Sequence, residues 1–121
     1  MMRAVLAIGL LLITSCSTQG LARRLAAGEQ SADGSVAVES IHFNPSGSPN
    51  GQGAVCEIDV VNRTSGTVRR RWLAVYYTAS GAELLYPKEP WEPLELAPSE
   101  RRRLTHSCPF RTAKQAKVAL E

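Results

Sequence analysis

Few residues of this chain have the chemistry and spacing for catalysis. The sequence contains three cysteines and two histidines. A nucleophilic enzyme needs a serine or cysteine beside a base and an orienting acid. The closest such pair is His106 and Cys108, two residues apart, which we expect to share one face of a strand. A disulfide cysteine with a neighbouring surface histidine is favoured here over a catalytic Cys–His pair.

No other pattern predicts catalysis, a metal site or a cofactor. Zinc sites combine three or four ligands with paired short spacings, which Cys56, Cys108, His42 and His106 do not have. The glycines of residues 46–53 are followed by no helical pattern and so do not form a phosphate loop. We therefore expect a protein that is not an enzyme and needs neither a metal nor a cofactor.

The N-terminus has the pattern of a bacterial lipoprotein signal. Residues 1–3 carry one positive charge, and a short apolar run over residues 4–13 follows. This run is far below the roughly 18 residues of a transmembrane helix. Ile13-Thr14-Ser15-Cys16 resembles a lipobox, which implies a signal peptide over residues 1–15 and a lipid, such as palmitate, on Cys16. The alternatives are an ordinary signal peptide with a chance cysteine, or a buried N-terminal helix.

Lipidation of Cys16 leaves two cysteines, Cys56 and Cys108. The compartment beyond the inner membrane is oxidising, so we predict a disulfide between them. It would close a loop of about 50 residues and stabilise the domain by about 4 kcal/mol. Two separate thiols or a redox-active pair are the alternatives, although neither a CxxC spacing nor a nearby helix start supports reactivity.

The charge and composition of the mature chain argue against nucleic acid as a partner. The formal charge of +3 falls to +2 when the signal peptide, with Arg3, is removed. Residues 16–35 are small, polar and punctuated by glycine, and contain two leucines. They predict a lipidated N-terminus followed by a flexible tether, which as a coil would span about 25 Å.

Residues 36–121 have the pattern of short strands separated by turns. Trp72 and one of Tyr76 and Tyr77 are predicted in the core, whereas Trp91, among three prolines, is a candidate surface residue. The pattern predicts an all-β, immunoglobulin-like antiparallel β-sandwich of about seven short strands. The predicted strands cover residues 36–43, 54–62, 67–78, 82–86, 94–96, 101–108 and 115–120.

Two arginine triplets are the most distinctive charged feature. Arg69, Arg70 and Arg71 begin one predicted strand, and Arg101, Arg102 and Arg103 begin another. If these strands are neighbours, several guanidinium groups would share one end of the sandwich and bind phosphate or carboxylate groups. The alternative interpretation is that the arginines keep a strand edge soluble.

Several of these motifs together resemble the YcfL-like family of small predicted periplasmic lipoproteins, whose function is not established. The resemblance covers about residues 54–120 and the lipobox, and it implies envelope localisation and a β-sandwich. Two departures are Thr78, where the family commonly has aspartate, and the Cys56/Cys108 pair, which is not a general family feature. The motifs are Val60–Thr64, Trp72–Gly81, Pro90-Trp91, Leu94–Leu96 and Cys108-Pro109.

These observations favour a non-enzymatic accessory or adaptor lipoprotein that binds another envelope protein. The alternative is a module that binds an anionic envelope glycan or lipid through the arginine triplets. The lipid on Cys16 would anchor the chain on the periplasmic side of the envelope. Ser17, in place of aspartate after the lipidated cysteine, favours the outer membrane over the inner one by analogy with enterobacterial sorting.

Overall fold

The described part of the chain consists of eight β-strands joined by turns. The computed structural model describes residues 22–45, 54–88 and 90–121. The predicted signal peptide over residues 1–15 and the predicted lipidation site Cys16 lie outside these residues. Within them, no helix could cross a membrane. The strands are β1 (Arg24–Leu25), β2 (Val36–Phe43), β3 (Val55–Asn62), β4 (Val68–Tyr77), β5 (Glu83–Leu84), β6 (Glu92–Leu96), β7 (Arg101–Ser107) and β8 (Gln115–Leu120).

The strands form two antiparallel sheets, which confirms the predicted all-β sandwich. In the large sheet, β1 pairs with β8 and β8 pairs with β4. The other side of β4 pairs with β6 along Val68–Trp72 and with β5 at Tyr76 and Tyr77. The small sheet has the order β2-β3-β7. The seven predicted strands correspond to β2–β8, with ends within two residues, and β1 was not predicted.

The main core lies between the two sheets. Because side chains alternate along a strand, every second residue of an inward-facing strand is buried. From the small sheet, β3 contributes Cys56 and Ile58, both 0% exposed. From the large sheet, β4 contributes Trp72 and Tyr76, as predicted for the core. Tyr77 has the opposite orientation and is half-buried.

A second, smaller apolar cluster covers the outer face of the large sheet. Leu73 and Val75 of β4 are each 1% exposed, although they alternate with the residues of the main core. An ion pair crosses this face: the Arg24 guanidinium donates to both carboxylate oxygens of Glu83 at 3.0 Å. It connects β1 at one edge of the sheet with β5 at the other. The half-buried residues over the cluster are Ala22, Tyr77, Tyr86 and Trp91.

The folded domain begins before the boundary predicted from the sequence. Residues 22–35, assigned above to a flexible tether, are part of the sandwich. Leu25 is 1% exposed, and Val38 exchanges backbone hydrogen bonds of 2.8 Å with Gly28 and Glu29. The segment is poor in large apolar residues, so its composition does not reveal pairing that depends on distant strands. The rest of the predicted tether, residues 16–21, lies outside the described residues.

The buried side chain of Asn62 joins the two sheets at the end of β3. Its amide nitrogen lies 2.7 Å from the carbonyl oxygen of Gly66, 3.1 Å from that of Leu96 and 3.0 Å from that of Ala97. Its carbonyl oxygen accepts hydrogen bonds from the backbone nitrogen and the hydroxyl of Thr64, at 2.9 and 2.8 Å. Asn62 thus holds its own turn and the end of β6 in the opposite sheet.

Replacing Asn62 with alanine is expected to lower the free energy of unfolding by about 2–3 kcal/mol, because buried carbonyl groups lose their donor. Urea unfolding of the chain without its signal peptide measures this loss. Ser65→Ala, in the same turn but exposed, is the matched control and should change stability by less than about 0.5 kcal/mol. Equal effects of the two substitutions would contradict the role assigned to Asn62.

Candidate functional site

The two arginine triplets lie in different sheets. Arg69–Arg71 is at the start of β4 in the large sheet, and Arg101–Arg103 is at the start of β7, an edge of the small sheet. The strands β4 and β7 are therefore not paired neighbours. The predicted cluster of guanidinium groups at one end of the sandwich required these two strands to be neighbours, so the described part of the structure does not contain it.

Two arginines of β7 lie over the outer face of the small sheet, where acidic residues neutralise them. Arg103 donates to Asp59 of β3 at 2.9 and 3.2 Å, and Arg101 donates to Glu39 of β2 at 3.1 Å. The Ser40 hydroxyl also donates to Asp59, at 2.6 Å. Hydrogen bonds from Arg103 and Ser40 lower the pKa of Asp59 to about 2, which keeps this carboxylate ionised.

The third arginine of β7, Arg102, has the opposite orientation and pairs within its own turn. It donates to Glu100 at 3.0 and 2.7 Å. A hydrogen bond from the backbone of Ala97 and one from Arg102 lower the pKa of the Glu100 carboxyl. The whole second triplet is thus already paired with acids of this chain.

The first triplet is paired with a different set of acids. Arg69 contacts Glu95, Arg70 contacts Asp33 at 2.6 Å, and Arg71 contacts Glu121. The two triplets share none of these acids, so they form two separate charged groups.

Trp91 belongs to the outer cluster of the large sheet. The Arg71 guanidinium lies 5.4 Å from the centroid of its ring, a cation–π contact. The indole is half-buried against the cluster that contains Leu73 and Val75. Trp91 therefore serves first as a cover for this face, and only part of its ring is available to a partner.

Cys56 and Cys108 are both free thiols in the structure. Cys56 lies opposite His106 in the β3–β7 register, and the backbone nitrogen of Cys108 donates to Ala54 at 2.9 Å. The two cysteines therefore lie on adjacent antiparallel segments of this chain and on the same face of the small sheet, offset by two residues. Burial, the nearby Cys108 thiol and Glu57 raise the pKa of Cys56 to about 12. Burial also raises the pKa of Cys108, so both thiols are poor nucleophiles at neutral pH.

His106 is bound to a tyrosine and not to a cysteine. Its Nδ1 atom lies 2.6 Å from the Tyr76 hydroxyl. Burial raises the pKa of Tyr76 far above its usual range, so the phenol keeps its proton, and the tautomer of His106 decides which of the two atoms donates. Burial lowers the pKa of His106, and nearby Glu92 opposes this shift. The ring is half-buried and neutral at pH 7, which corrects the expectation of a surface histidine.

The second ring nitrogen of His106, Nε2, can make one further hydrogen bond, as a donor or as an acceptor according to the tautomer. The edge contacts of the imidazole are with the rings of Trp72 and Tyr86, with centroids 6.2 and 6.3 Å away. Across the described ranges, no group of three or more histidine, cysteine and acidic side chains is placed to hold a metal ion.

An open groove of about 510 Å³ lies beside His106. One wall is the loop that follows β5, and the other is the end of β7 with the residues after it. Lys88, Ser107 and His106 provide its polar groups. A groove of this size can hold a small ligand or a few side chains of a peptide. The apolar and aromatic wall consists of Tyr86, Pro87, Pro90, Pro109 and Phe110.

Tyr86 explains why the groove can exist at the edge of the large sheet. Between β5 and β6, the carbonyl of Ala74 faces a gap in the strand pairing, and the Tyr86 hydroxyl donates to it at 2.6 Å. Burial raises the pKa of Tyr86, so its hydroxyl remains protonated. This groove was not predicted from the sequence. The signal for it is the tyrosine directly before residues 87–93, where three prolines predict a loop or an edge strand.

Comparisons with known proteins identify the fold. No family model matches the chain, and no curated protein matches its sequence. One similar structure is a DUF1425 family member from Shewanella sp. pv-4, with a TM-score of 0.61 and 13% identity over 82% of this chain and 94% of that chain. Another is cj0090 from Campylobacter jejuni, with a TM-score of 0.51 and 14% identity over 69% of this chain and 82% of that chain. At these identities the similarity establishes a shared sandwich fold.

The folded domain is expected to lose stability as the pH falls below about 6.5, the ordinary pKa of an unfolded histidine. Because the pKa of folded His106 is lowered, the unfolded state takes up the proton first, and stability declines as the pH falls towards the folded pKa. Thermal unfolding between about pH 7.5 and 5.5, above the range in which carboxylates titrate, measures this loss.

The test compares two histidine variants. His106→Gln should have a smaller decrease in Tm over this pH range than the unmodified chain. His42→Gln replaces an exposed histidine and should retain the full decrease. An unchanged decrease in His106→Gln would contradict the assignment.

Proposed function

We propose that this protein is a non-enzymatic adaptor of the bacterial cell envelope, anchored through a lipid on Cys16, whose sandwich binds another envelope protein. The proposed membership of the YcfL-like family is supported by the sequence motifs and by the fold shared with the DUF1425 protein. The lipobox supports the anchor, and Ser17 supports the outer membrane, with the domain on the periplasmic side.

The observation that carries the adaptor proposal is the groove beside His106 and its apolar rim. Leu85, next to the groove residue Tyr86, is 66% exposed. Tyrosine is common in the centres of protein interfaces. An apolar, aromatic groove with a large exposed apolar residue next to it in the sequence is suited to hold part of another polypeptide.

The paired arginines support a protein ligand over an anionic glycan or lipid. A site for phosphate or carboxylate groups needs guanidinium groups that are free to make bidentate contacts. Each arginine of the two triplets instead contacts a carboxylate of this chain. A ligand anion would have to displace these acids one by one.

The proposed anchor places the domain close to the membrane. Folded structure is described from Ala22 onwards, six residues after Cys16. Six residues extend to at most about 20 Å. A partner of this adaptor would then lie in, or directly above, the same membrane.

A Cys56–Cys108 disulfide in the exported protein is part of this proposal. Diagonal neighbours on adjacent antiparallel strands lie about 7–8 Å apart, slightly beyond the usual Cα separation of a disulfide. Cys108 follows the last residue of β7, so a small shift of the chain after Ser107 suffices to bring the sulfur atoms together.

Intact-mass analysis after thiol alkylation of the unfolded but unreduced protein should show the envelope-purified chain with neither Cys56 nor Cys108 modified. Reduction should then lower its free energy of unfolding by about 4 kcal/mol, since the cross-link closes a loop of about 50 residues. Cys56→Ala alone, in which no bond can form, should be insensitive to reductant. Alkylation of both residues in the unreduced protein would contradict the disulfide.

The adaptor proposal predicts a specific protein cross-link from the rim of the groove. Full-length chain with the photoreactive residue benzoylphenylalanine at Leu85 should form one dominant adduct with another envelope protein in living cells. The same probe at exposed Thr112 is the matched control. Cys16→Ala should lose both membrane fractionation and the adduct, because it cannot be acylated. Adducts that are equal at the two positions, or absent from Leu85, would reject the adaptor.

A further inference from the structure

Strand β7 presents a free backbone edge. Cys108 donates to Ala54, and Asn62 donates to Glu100, so the even-numbered residues of β7 direct their backbone groups towards β3. The odd-numbered residues direct their amide and carbonyl groups outwards. In residues 22–45, 54–88 and 90–121, no other strand pairs with β7. The four residues with outward backbone groups are Arg101, Arg103, Thr105 and Ser107.

The other edges of the two sheets are short, covered or interrupted. The first half of β2 is covered by backbone hydrogen bonds from residues 28–31, and its register shifts between Val38 and Ser40. β1 has two residues, and β6 contains Pro93. By contrast, β7 has seven residues without proline, glycine or register shift. Among the described strands it is the edge best suited to accept another strand.

The groove beside His106 continues this edge. His106 and Ser107 belong to β7, and Pro109 and Phe110 follow it. A strand added along β7 would direct alternate side chains towards the interior of the sandwich. At the C-terminal end of β7, such a side chain enters the apolar groove. Backbone pairing and a side-chain pocket together are the usual elements of recognition by strand addition.

The charge of β7 disfavours pairing with a second copy of this chain. The strand carries three arginines and no acid. Arg101 and Arg103 reach over the outer face towards Glu39 and Asp59, which leaves the backbone edge uncovered. Exposed ion pairs of this kind contribute little, so they can adapt to a new neighbour. A second copy of this chain would bring three more arginines, and charged side chains deter such self-pairing of edges. Since the arginines already have carboxylate partners in this chain, the groove selects the incoming strand, which must carry an apolar side chain at the C-terminal end of β7.

We infer that β7 is the docking edge for an extended segment of the partner protein, which adds to the small sheet and inserts an apolar side chain into the groove. This inference rests on the proposed adaptor function and specifies its binding surface.

The test uses the full-length chain in cells with benzoylphenylalanine at Ser107. Thr105→Pro removes an outward amide and places a ring on the edge without affecting the hydrogen bonds to β3; proline is tolerated where the amide of an edge strand faces solvent. Thr105→Ala keeps the amide and is the matched control. The adduct should fall about tenfold in Thr105→Pro and persist in Thr105→Ala. The cross-linked peptide, identified by mass spectrometry, should be a strand-forming segment that carries at least one large apolar residue.

An adduct retained in Thr105→Pro, or one with a second copy of this chain, a lipid or a glycan, would overturn the inference. If benzoylphenylalanine at Leu85 still forms an adduct with a protein in that case, the adaptor function stands and only the docking edge is wrong. Loss of adducts from both Leu85 and Ser107 would reject the function itself.

If Thr105→Pro does not fold, amide hydrogen exchange of the unmodified chain tests the docking edge instead. The amides of Arg103 and Thr105 should exchange rapidly in the isolated protein and be protected in the captured complex. Unchanged exchange would overturn the inference.

Discussion

The burial of β4 on both faces is the constraint on which the rest of the structure depends. From Trp72 to Tyr76 the strand is continuously buried, so the large sheet needs a cover on its outer face as well as a partner sheet on its inner face. The small sheet covers the inner face. On the outer face, the ion pair between Arg24 and Glu83 and the half-buried rings of Tyr77 and Trp91 provide the cover. Desolvation of these apolar side chains is the driving force for both arrangements.

The charged residues are distributed so that the faces are neutralised and one edge remains open. On the small sheet, the guanidinium groups of β7 compensate the carboxylates of β2 and β3 over the outer face. Such contacts are weak individually, but they determine where the long arginine side chains lie. Because these side chains extend over the sheet and not past its edge, the backbone of β7 remains accessible. A strand with charged side chains can then resist self-association and still accept a partner strand through its backbone.

The residues that first suggested chemistry have structural roles in the core. Tyr76 is hydrogen-bonded to His106. Cys56 packs in the same core cluster as Tyr76, where burial disfavours the thiolate. Burial stabilises the neutral form of each of these groups, which suits a sandwich interior and does not activate a nucleophile. The half-buried imidazole of His106 lies at the wall of an aromatic groove. This combination of one polar group with apolar walls is a feature of binding sites more than of catalytic ones.

By itself, the sequence determined seven strands and the residues Trp72 and Tyr76 of the core, because alternation and turn residues act locally. It also identified the arginine triplets, but not where they lie, since ion pairs such as Arg103–Asp59 join strands far apart in the chain. Only the tertiary structure decided that residues 22–35 join the sandwich, that Tyr76 and not Cys108 binds His106, and that Tyr86 closes a gap beside a groove. Each of these features depends on sheet order and register, which are set by packing between distant segments and leave no local pattern.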